Sequence, residues 1–197
     1  MQASRRDEYT ETTRRALLDC AAAAFEDQGY AAASLEDIAG AARLTKGAVY
    51  HHFRNKQDLF RAVFDEEWAQ LATSLRSAAG QAPDAWQRLL TGIRMFLDAC
   101  LDPRFRRIAL EEAPAALGWH TWRQIESQRV QLVSQPLSEL VHAGTLSPQP
   151  LDLLARVVLA MAGEAGRAIA DAPDANVARR DAEALLTGLL AGLRTAP

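Results

Sequence analysis

Residues 45–56 read Thr45-Lys46-Gly47-Ala48-Val49-Tyr50-His51-His52-Phe53-Arg54-Asn55-Lys56, and this stretch decides how the chain folds. It combines a capping threonine, two apolar residues at helical spacing and a second capping residue, which together predict a short third helix and the start of a fourth. From Arg43 to Gln57 every charged residue is basic, although the formal charge of the whole chain is -3. The local positive patch predicts contact with a polyanion through one confined surface.

A second short helix and a turn precede this stretch. Ser34 followed by Asp37 is a capping-box-like start signal, and the apolar residues after it predict a helix that ends before a turn at Arg43 and Leu44. A first amphipathic helix is predicted over about 11–28. Two helices joined by a turn of a few residues are the outline of a helix-turn-helix.

The remainder of the chain also has helical periodicity. Asn55 starts a long amphipathic helix that runs to about Gly80. Proline and glycine breaks then divide the chain into helices over about 83–101, 103–113, 118–143, 150–171 and 175–195. No alternating segment is long enough for a sheet. The sequence predicts an all-α fold of about nine helices, with a helix-turn-helix domain over 1–56 and a helical effector-binding and dimerisation domain over 57–197.

Composition limits the class of protein. The chain has 197 residues and 49% hydrophobic content, which is enough for a sizeable core. It contains no apolar run of about 18 residues, and its N-terminus does not resemble a signal peptide, so we expect a cytoplasmic protein without a membrane segment. Cys20 and Cys100 lack metal-ligand spacing, which predicts buried thiols and neither a metal site nor a cofactor.

The residue types of the third helix suit a nucleic-acid groove. Gly47 and Ala48 are small enough for the helix start to approach base edges, and Lys46 can donate to guanine acceptors. Isolated charge runs are more often solvated surface, but the capped short helix and its small residues favour DNA. Phosphate contacts are predicted for the side chains of Tyr50, His51 and Lys56 and for the helix starts at Ser34 and Thr45.

At these residues the chain resembles a known family. The pattern Gly47-x-x-Tyr50-x-His52-Phe53-x-Asn55-Lys56, with Ser34-Leu35-Glu36-Asp37-Ile38-Ala39 before it, is similar to the N-terminal domain of TetR-family transcriptional regulators over about residues 12–60. The resemblance implies a homodimer whose recognition helices enter successive major grooves of a pseudo-palindromic operator, about 34–36 Å apart, usually to repress a promoter. Glu36 stands where some members carry a base-reading arginine.

The C-terminal part is rich in aromatic residues, which commonly line pockets between helices. We expect a medium-sized hydrophobic or aromatic effector there, although core filling and surface pairing are the alternatives for each residue. Glu164 interrupts an apolar run, so its charge must be paired, hydrated or used by a ligand. The candidate lining residues are Trp68, Leu71, Phe96, Phe105, Trp119, Trp122, Met161 and Glu164.

The last two predicted helices are apolar on more than one face, and such helices need two partners. An intrachain core is one arrangement, while the family resemblance favours pairing with a second copy. Ala160, Gly163 and Gly166 would permit close helix approach. The candidate dimerisation residues are Val157, Val158, Ala165, Leu185, Leu189 and Leu193.

Two other classes of function compete with a regulator. A helical enzyme would need a catalytic constellation, but the chain has no Gly-x-Ser-x-Gly, no His-Glu-x-x-His and no phosphate-binding glycine loop. A protein-binding adaptor would leave the basic third helix without a use. We therefore expect a non-enzymatic, ligand-responsive DNA-binding regulator, most often a repressor. Activation, and regulation without a small molecule, are the alternatives that the sequence leaves open.

Overall fold

The computed structural model describes residues 5–195, apart from the side chains of residues 5, 6, 8 and 9. Within this range the chain forms nine helices and no strand longer than an isolated bridge, which confirms the all-α prediction. The helices are α1 (Arg5–Ala32), α2 (Leu35–Ala41), α3 (Lys46–His52), α4 (Lys56–Ala79), α5 (Ala85–Ala99), α6 (the consecutive pieces Pro103–Arg106, Arg107–Glu112 and Ala113–Leu117), α7 (Trp119–His142), α8 (Leu151–Asp171) and α9 (Ala175–Ala191). None of these helices is long and apolar enough to cross a membrane.

Three predicted capping residues start α2, α3 and α4. The side chains of Ser34, Thr45 and Asn55 each accept a hydrogen bond from the backbone amide three residues later, at 3.1, 3.3 and 2.8 Å. Each bond satisfies an amide that has no partner inside its helix, and a cap of this kind contributes about 1 kcal/mol. Local sequence therefore determines where these helices begin.

The turn between α2 and α3 is held by two backbone hydrogen bonds. Arg43 has a positive φ of 57°. The amide of Leu44 donates to the carbonyl of Ala39 at 2.8 Å, and the amide of Arg43 donates to that of Gly40 at 3.0 Å. This is the Schellman ending of a helix, here with arginine in the position that glycine usually takes. It fixes the direction in which α3 leaves α2.

The N-terminal unit packs around a small aromatic core. The rings of Phe25 and Phe60 lie 5.1 Å apart and join α1 to α4, and Tyr30 contacts both rings. Val49 and Phe53 belong to residues 45–53, which we call the recognition segment after the resemblance above. Both side chains are buried, as expected for the two apolar residues at helical spacing in this stretch. Burial of these two residues turns the opposite face of α3 towards solvent.

Helix α6 is longer than predicted and contains a π-helical piece, Arg107–Glu112. The predicted end at residue 113 is wrong, because Pro114 stands in the first turn of the piece Ala113–Leu117, where no amide hydrogen is needed. Gly118, with φ 76°, ends the helix. Segments of π-helix are often found at functional sites.

The π-helical piece packs directly onto the N-terminal unit. Gly29 interrupts α1 with φ 78° and ψ 165°. A Cβ atom at this position would lie 2.5 Å from Glu112 Oε1 and 2.8 Å from Arg107 Nη2. In addition, Gln57 Nε2 donates to the carbonyl of Ala116 at 2.7 Å. The N-terminal unit is thus connected to the C-terminal body through α6 as well as through the continuous helix α4.

Helix α8 packs tightly within the chain at Gly166. A Cβ there would lie 2.9 Å from Cys100 Sγ and 3.0 Å from Leu110 Cδ1. Gly166 therefore serves intrachain packing, and its expected place in a contact between two copies is wrong. Cys100 is buried, and burial raises the pKa of its thiol to about 12. Cys20 is only half-buried, which corrects the prediction for that residue.

Candidate functional site

Helix α3 presents an exposed face at the surface of the N-terminal unit. Lys46, Gly47, Tyr50 and His51 are exposed, and the Tyr50 side chain is 51% exposed. Ala48 is half-buried between this face and the buried Val49. Four predicted DNA-contacting residues therefore share one accessible surface, with basic charge and hydrogen-bond donors.

The two residues that cap the short helices flank this face. Thr45 is exposed at the start of α3, and Ser34 is half-buried at the start of α2. Each side chain already accepts one amide of its own helix. The remaining amides of these first turns have no acceptor within their helix, so an external acceptor such as a phosphate oxygen suits them.

Lys46 has a partner in this structure. Its ammonium group donates to the carboxylate of Glu36 on α2, and this contact raises the pKa of Lys46 above its ordinary value. Both side chains are more than half exposed, and exposed ion pairs of this kind contribute little to stability. An acceptor on a nucleic acid could therefore replace Glu36 at low cost. Base reading by Lys46 stays a prediction.

The fold of the free chain does not require glycine at position 47. The nearest atom to a Cβ built there is Thr45 Oγ1, at 3.8 Å, which is an ordinary contact distance. Glycine near the start of a helix also costs helix propensity. The glycine is therefore explained better by something that approaches α3 from outside than by packing inside the chain.

Lys56 does not lie on the α3 face. Its ammonium group donates to three carbonyl oxygens near the end of α1, those of Tyr30, Ala31 and Ala33, at 2.7, 3.1 and 2.9 Å. It also lies 4.7 Å from the centre of the Tyr30 ring. Because an ammonium group has only three hydrogens, a phosphate contact would break one of these bonds. We therefore assign Lys56 a structural role, which replaces the predicted phosphate contact.

Lys56→Met should destabilise the N-terminal unit by about 1–3 kcal/mol, because it removes charged donors from three carbonyl groups. Urea unfolding of the purified protein measures the effect. The matched control is Arg54→Met, at an exposed basic residue in the loop that precedes α4. If the Lys56→Met protein is as stable as the unmodified chain but binds DNA more weakly, the predicted phosphate contact of Lys56 would be supported instead.

Four predicted effector residues do come together. The centre of the Trp68 ring lies 6.1 Å from that of Phe96 and 5.3 Å from that of Phe105. Phe64 contacts both Trp68 and Trp122, at 6.3 and 6.4 Å. These five residues, which we call the aromatic cluster, connect α4, α5, α6 and α7. Their rings pack against one another where these four helices meet.

The other predicted effector residues lie in different surroundings. Leu71 is buried on α4, and Met161 is half-buried on α8. Trp119 is 75% exposed beside Arg123, so its predicted place in a pocket is wrong. The predicted ligand-binding role of Glu164 is also wrong, because its carboxylate is exposed and pairs with Arg167 at 2.6 Å. Trp119 begins α7 on the outside, and Glu164 lies on the solvent face of α8.

Arg129 of α7 is the residue that the predictions missed. Its guanidinium carbon lies 3.6 Å from the centre of the Trp68 ring, 5.2 Å from Trp122 and 5.3 Å from Phe64. Burial lowers the pKa of Arg129 to about 9, so the group is still charged at neutral pH. A signal was present in the sequence, because Arg129 follows Trp122 by two helical turns and shares its inward face.

Helices α8 and α9 leave an apolar face uncovered. Val157, Leu185 and Leu189, all predicted to mediate dimerisation, are exposed, and Leu185 is 64% exposed. Leu153 adds to this face. Val158 is buried within the chain at 3% exposure, which contradicts its predicted place in a dimer contact. It follows Val157 by one residue and so points about 100° away around the helix.

The two remaining dimerisation candidates, Ala165 and Leu193, are half-buried and pack against the core of the chain. On α9, Leu186 and Leu190 are buried while their neighbours Leu185 and Leu189 are exposed. This helix therefore has two apolar faces, as predicted, and only one of them is covered by the chain itself.

Two protein-family profiles match the chain in separate regions. Residues 17–63 match the family described as bacterial regulatory proteins, tetR family. Residues 86–193, more than half of the chain, match the tetracyclin repressor-like C-terminal domain. The first region contains the α3 face, and the second contains α8 and α9 with most of the aromatic cluster.

Individual relatives give the same assignment. The Transposon Tn10 TetC protein of Escherichia coli is 27% identical over 148 residues, or 75% of each chain. The HTH-type transcriptional regulator TtgR of Pseudomonas putida is 36% identical over 107 residues, which are 53% of this chain and 50% of that protein. A solved TetR-family transcriptional regulator from Pectobacterium atrosepticum has 30% identity and a TM-score of 0.80, over 99% of this chain and 100% of that chain. With both regions matched, the chain belongs to the TetR family, whose members are ligand-responsive DNA-binding transcriptional regulators.

Proposed function

We propose that this protein is a homodimeric cytoplasmic repressor that binds a pseudo-palindromic operator and is released by a small hydrophobic or aromatic effector. The observation that carries the proposal is the exposed face of α3, a helix that contains no acidic residue of its own, with small residues at its start and donors along it. Sequence-specific DNA contact requires such a helix in the major groove. The proposal includes no catalytic role.

The proposed DNA contacts are of two kinds, those to base edges and those to phosphates. The ammonium group of Lys46 leaves the carboxylate of Glu36 and donates to an acceptor on a base edge. Gly47 and Ala48 allow the backbone of α3 to approach the DNA bases closely. Tyr50 and His51 donate to phosphates. Together with the helix starts at Ser34 and Thr45, they position the helix without specifying sequence.

Dimerisation uses the uncovered apolar face of α8 and α9, including Val157, Leu185 and Leu189. Large exposed apolar patches are typical of interaction surfaces, and a two-fold axis through this face would relate the α3 helices of the two copies to each other. We keep the boundary between the DNA-binding and C-terminal domains between residues 56 and 57, directly after the first residue of α4. Helix α4 then belongs to the effector-binding body and still contacts α1.

The effector acts through α4 and α6. Trp68 lies on α4 and Phe105 on α6, so a ligand that displaces the rings of the aromatic cluster shifts both helices. Helix α6 rests on Gly29 of α1, and α4 begins directly after the recognition segment. The shift changes the spacing of the two α3 helices. An effector of this type biases operator affinity by about 5–150-fold, provided that it binds the released state more tightly.

Lys46→Ala and Tyr50→Ala should each weaken operator binding by at least about 10-fold, because every dimer loses the contact twice. Both side chains are exposed, so the stability of the dimer should not change. Fluorescence anisotropy with a labelled operator measures the affinity. Leu132→Ala, at an exposed leucine of α7, is the control. Unchanged affinity in both α3 variants would mean that DNA contacts a different surface.

Selection of random DNA by the purified protein tests the proposal as a whole. We expect enrichment of an inverted repeat whose half-site centres lie about one helical turn, or 34–36 Å, apart. Heparin serves as a polyanion competitor that removes non-specific binding. Failure to enrich any sequence in the presence of heparin would exclude an operator-binding regulator. Release of the selected DNA by hydrophobic compounds then tests the effector.

A further inference from the structure

Arg129 is a half-buried arginine of the C-terminal body without a carboxylate within 4 Å among the described residues. Among the described side chains, four arginines have a buried nitrogen without a hydrogen bond. Three of them lie within 4 Å of a carboxylate, namely Arg88 with Glu139 at 2.8 Å, Arg107 with Glu112 at 3.7 Å and Arg179 with Asp98 at 2.7 Å. Arg129 has no such carboxylate in the described part of the chain, and its Nη2 atom is the unpaired one.

Two acidic residues, Glu126 and Asp65, act electrostatically on Arg129, and both already accept hydrogen bonds from other arginines. Glu126 accepts from Arg123 at 3.2 Å, and Asp65 accepts from Arg61 at 2.8 Å. The guanidinium group of Arg129 instead stacks 3.6 Å from the centre of the Trp68 ring. Aromatic faces attract a cation but accept its hydrogen bonds poorly. The positive charge is therefore only partly compensated.

The partner of this stack also has an unsatisfied donor. Trp68 Nε1 is buried and has no hydrogen-bond partner among the described residues. Buried N–H groups without an acceptor are rare and costly, and they call for a water, an ion or a ligand. Arg129 and Trp68 are in contact, and each has one donor that finds no acceptor in the described part of the chain. A negatively charged acceptor within reach of both side chains would satisfy the two donors and neutralise Arg129.

We propose that Arg129 and Trp68 bind the carboxylate of a small hydrophobic monocarboxylate, whose apolar body lies among the rings of the aromatic cluster. A single guanidinium group matches one carboxylate, to which it can donate two parallel hydrogen bonds. The rings of Phe64, Phe96 and Trp122 offer apolar and aromatic contact to the remainder of the molecule. This inference names the effector class and rests on the proposed function, but the binding step can be measured without DNA.

Binding of such a molecule requires the cluster to rearrange. The rings of Trp68, Phe96 and Phe105 contact one another, so an apolar body can enter only when at least one ring moves. Trp68 lies on α4, which leads to the recognition segment. A ligand that binds both side chains and displaces a ring of the aromatic cluster therefore disturbs the helix through which release is proposed to occur.

The test uses the full-length protein alone and measures binding by tryptophan fluorescence and calorimetry at constant ionic strength. The probes are 2-naphthoate and octanoate, each paired with its neutral amide. We expect each acid to bind at least about 10-fold more tightly than its amide, because a charge-assisted hydrogen bond is stronger than a neutral one. Equal affinity of acid and amide, or no binding of either acid, would overturn the proposal without the use of any variant.

Variants then locate the carboxylate. Arg129→Met keeps the length and apolar character of the stem, and it should weaken acid binding about 10- to 100-fold while leaving amide binding unchanged. Arg167→Met is the control, since Arg167 is an exposed arginine of α8 that is paired with Glu164, and its removal leaves the Arg123–Glu126 pair intact. If Arg129→Met does not fold, Arg129→Lys replaces it, with a smaller loss expected because lysine cannot form the two parallel bonds. Unchanged acid binding in the folded variant would contradict the assignment.

Measurements of acid binding and of operator binding test the carboxylate site and the proposed function separately. Acids that bind through Arg129 but leave the selected operator bound would support the site and contradict release by this ligand. Operator binding with no acid preference would support the regulator and overturn the carboxylate site. Both outcomes are read from the same protein preparation.

Discussion

A chain with Leu185→Glu and Leu189→Glu is expected to be monomeric and to lose at least about 100-fold in operator affinity. The two leucines lie one turn apart on the uncovered face of α9 and are both at least half exposed in the single chain. In a dimer this face would be buried, and burying unpaired carboxylates is strongly unfavourable. A monomer can engage only one half-site, so the contacts of the second α3 helix are lost. Sedimentation and operator titration measure the two effects.

The control for this change is Leu132→Glu on α7, which introduces the same charge at a leucine that is 63% exposed. It should leave the dimer and the operator affinity close to those of the unmodified protein. A Leu185→Glu, Leu189→Glu chain that stays dimeric would place the dimer contact elsewhere. An unmodified chain that is monomeric at micromolar concentration would contradict the proposed homodimer itself.

The second large effect is expected for Gly47→Leu, which should abolish specific DNA binding while the protein stays folded. A side chain at this position meets only Thr45 Oγ1 in the free chain. The substitution should even stabilise α3 by about 0.5–1 kcal/mol, since leucine has the higher helix propensity. The added side chain would project into the space that a base edge occupies, so we expect a loss of at least about 100-fold in operator affinity.

Two companion variants make this prediction specific. Gly47→Ala adds a single methyl group and should have a smaller effect. Gly40→Leu adds the same side chain at an open, exposed position on α2 and should bind the operator normally. Thermal unfolding confirms that all three proteins are folded. Full operator affinity in Gly47→Leu would show that α3 does not approach the duplex at its start.

The N-terminal unit was largely predictable because its signals are local. Ser34, Thr45 and Asn55 each act on an amide three residues away, and the buried Val49 and Phe53 follow helical spacing. Such contacts depend on neighbouring residues and need no knowledge of the rest of the fold. The same reasoning placed the starts of α5, α7, α8 and α9 within about two residues.

Errors arose where tertiary contacts decide the role of a side chain. Lys56 looked like a phosphate donor in the sequence, but three carbonyl groups at the end of α1 and just after it, 23 to 26 residues away in the chain, accept hydrogen bonds from its ammonium group. Trp119 looked like pocket lining, yet it begins a helix on the outside of the body. Apolar or basic character alone does not reveal which face of a helix another element covers.

The position of Arg129 on the inward face of α7 could be read from the sequence, but its role could not. An arginine within an apolar stripe is usually paired or reaches solvent with its charged end, so the sequence did not distinguish it from surface charges. Only the packing of α4 against α7 brings it onto the Trp68 ring. Likewise, the contact between the π-helical piece and Gly29 follows from the arrangement of whole helices.

The most direct test of the central claim, that α3 reads a specific DNA sequence, is the ratio of two affinities. Fluorescence anisotropy should be recorded for the selected operator and for a scrambled duplex of the same length and composition, at about 0.15 M salt. Specific binding predicts an operator affinity at least about 1,000-fold higher than that for the scrambled duplex. Equal affinities, with the same dependence on salt, would indicate attraction to phosphates alone and would contradict the account.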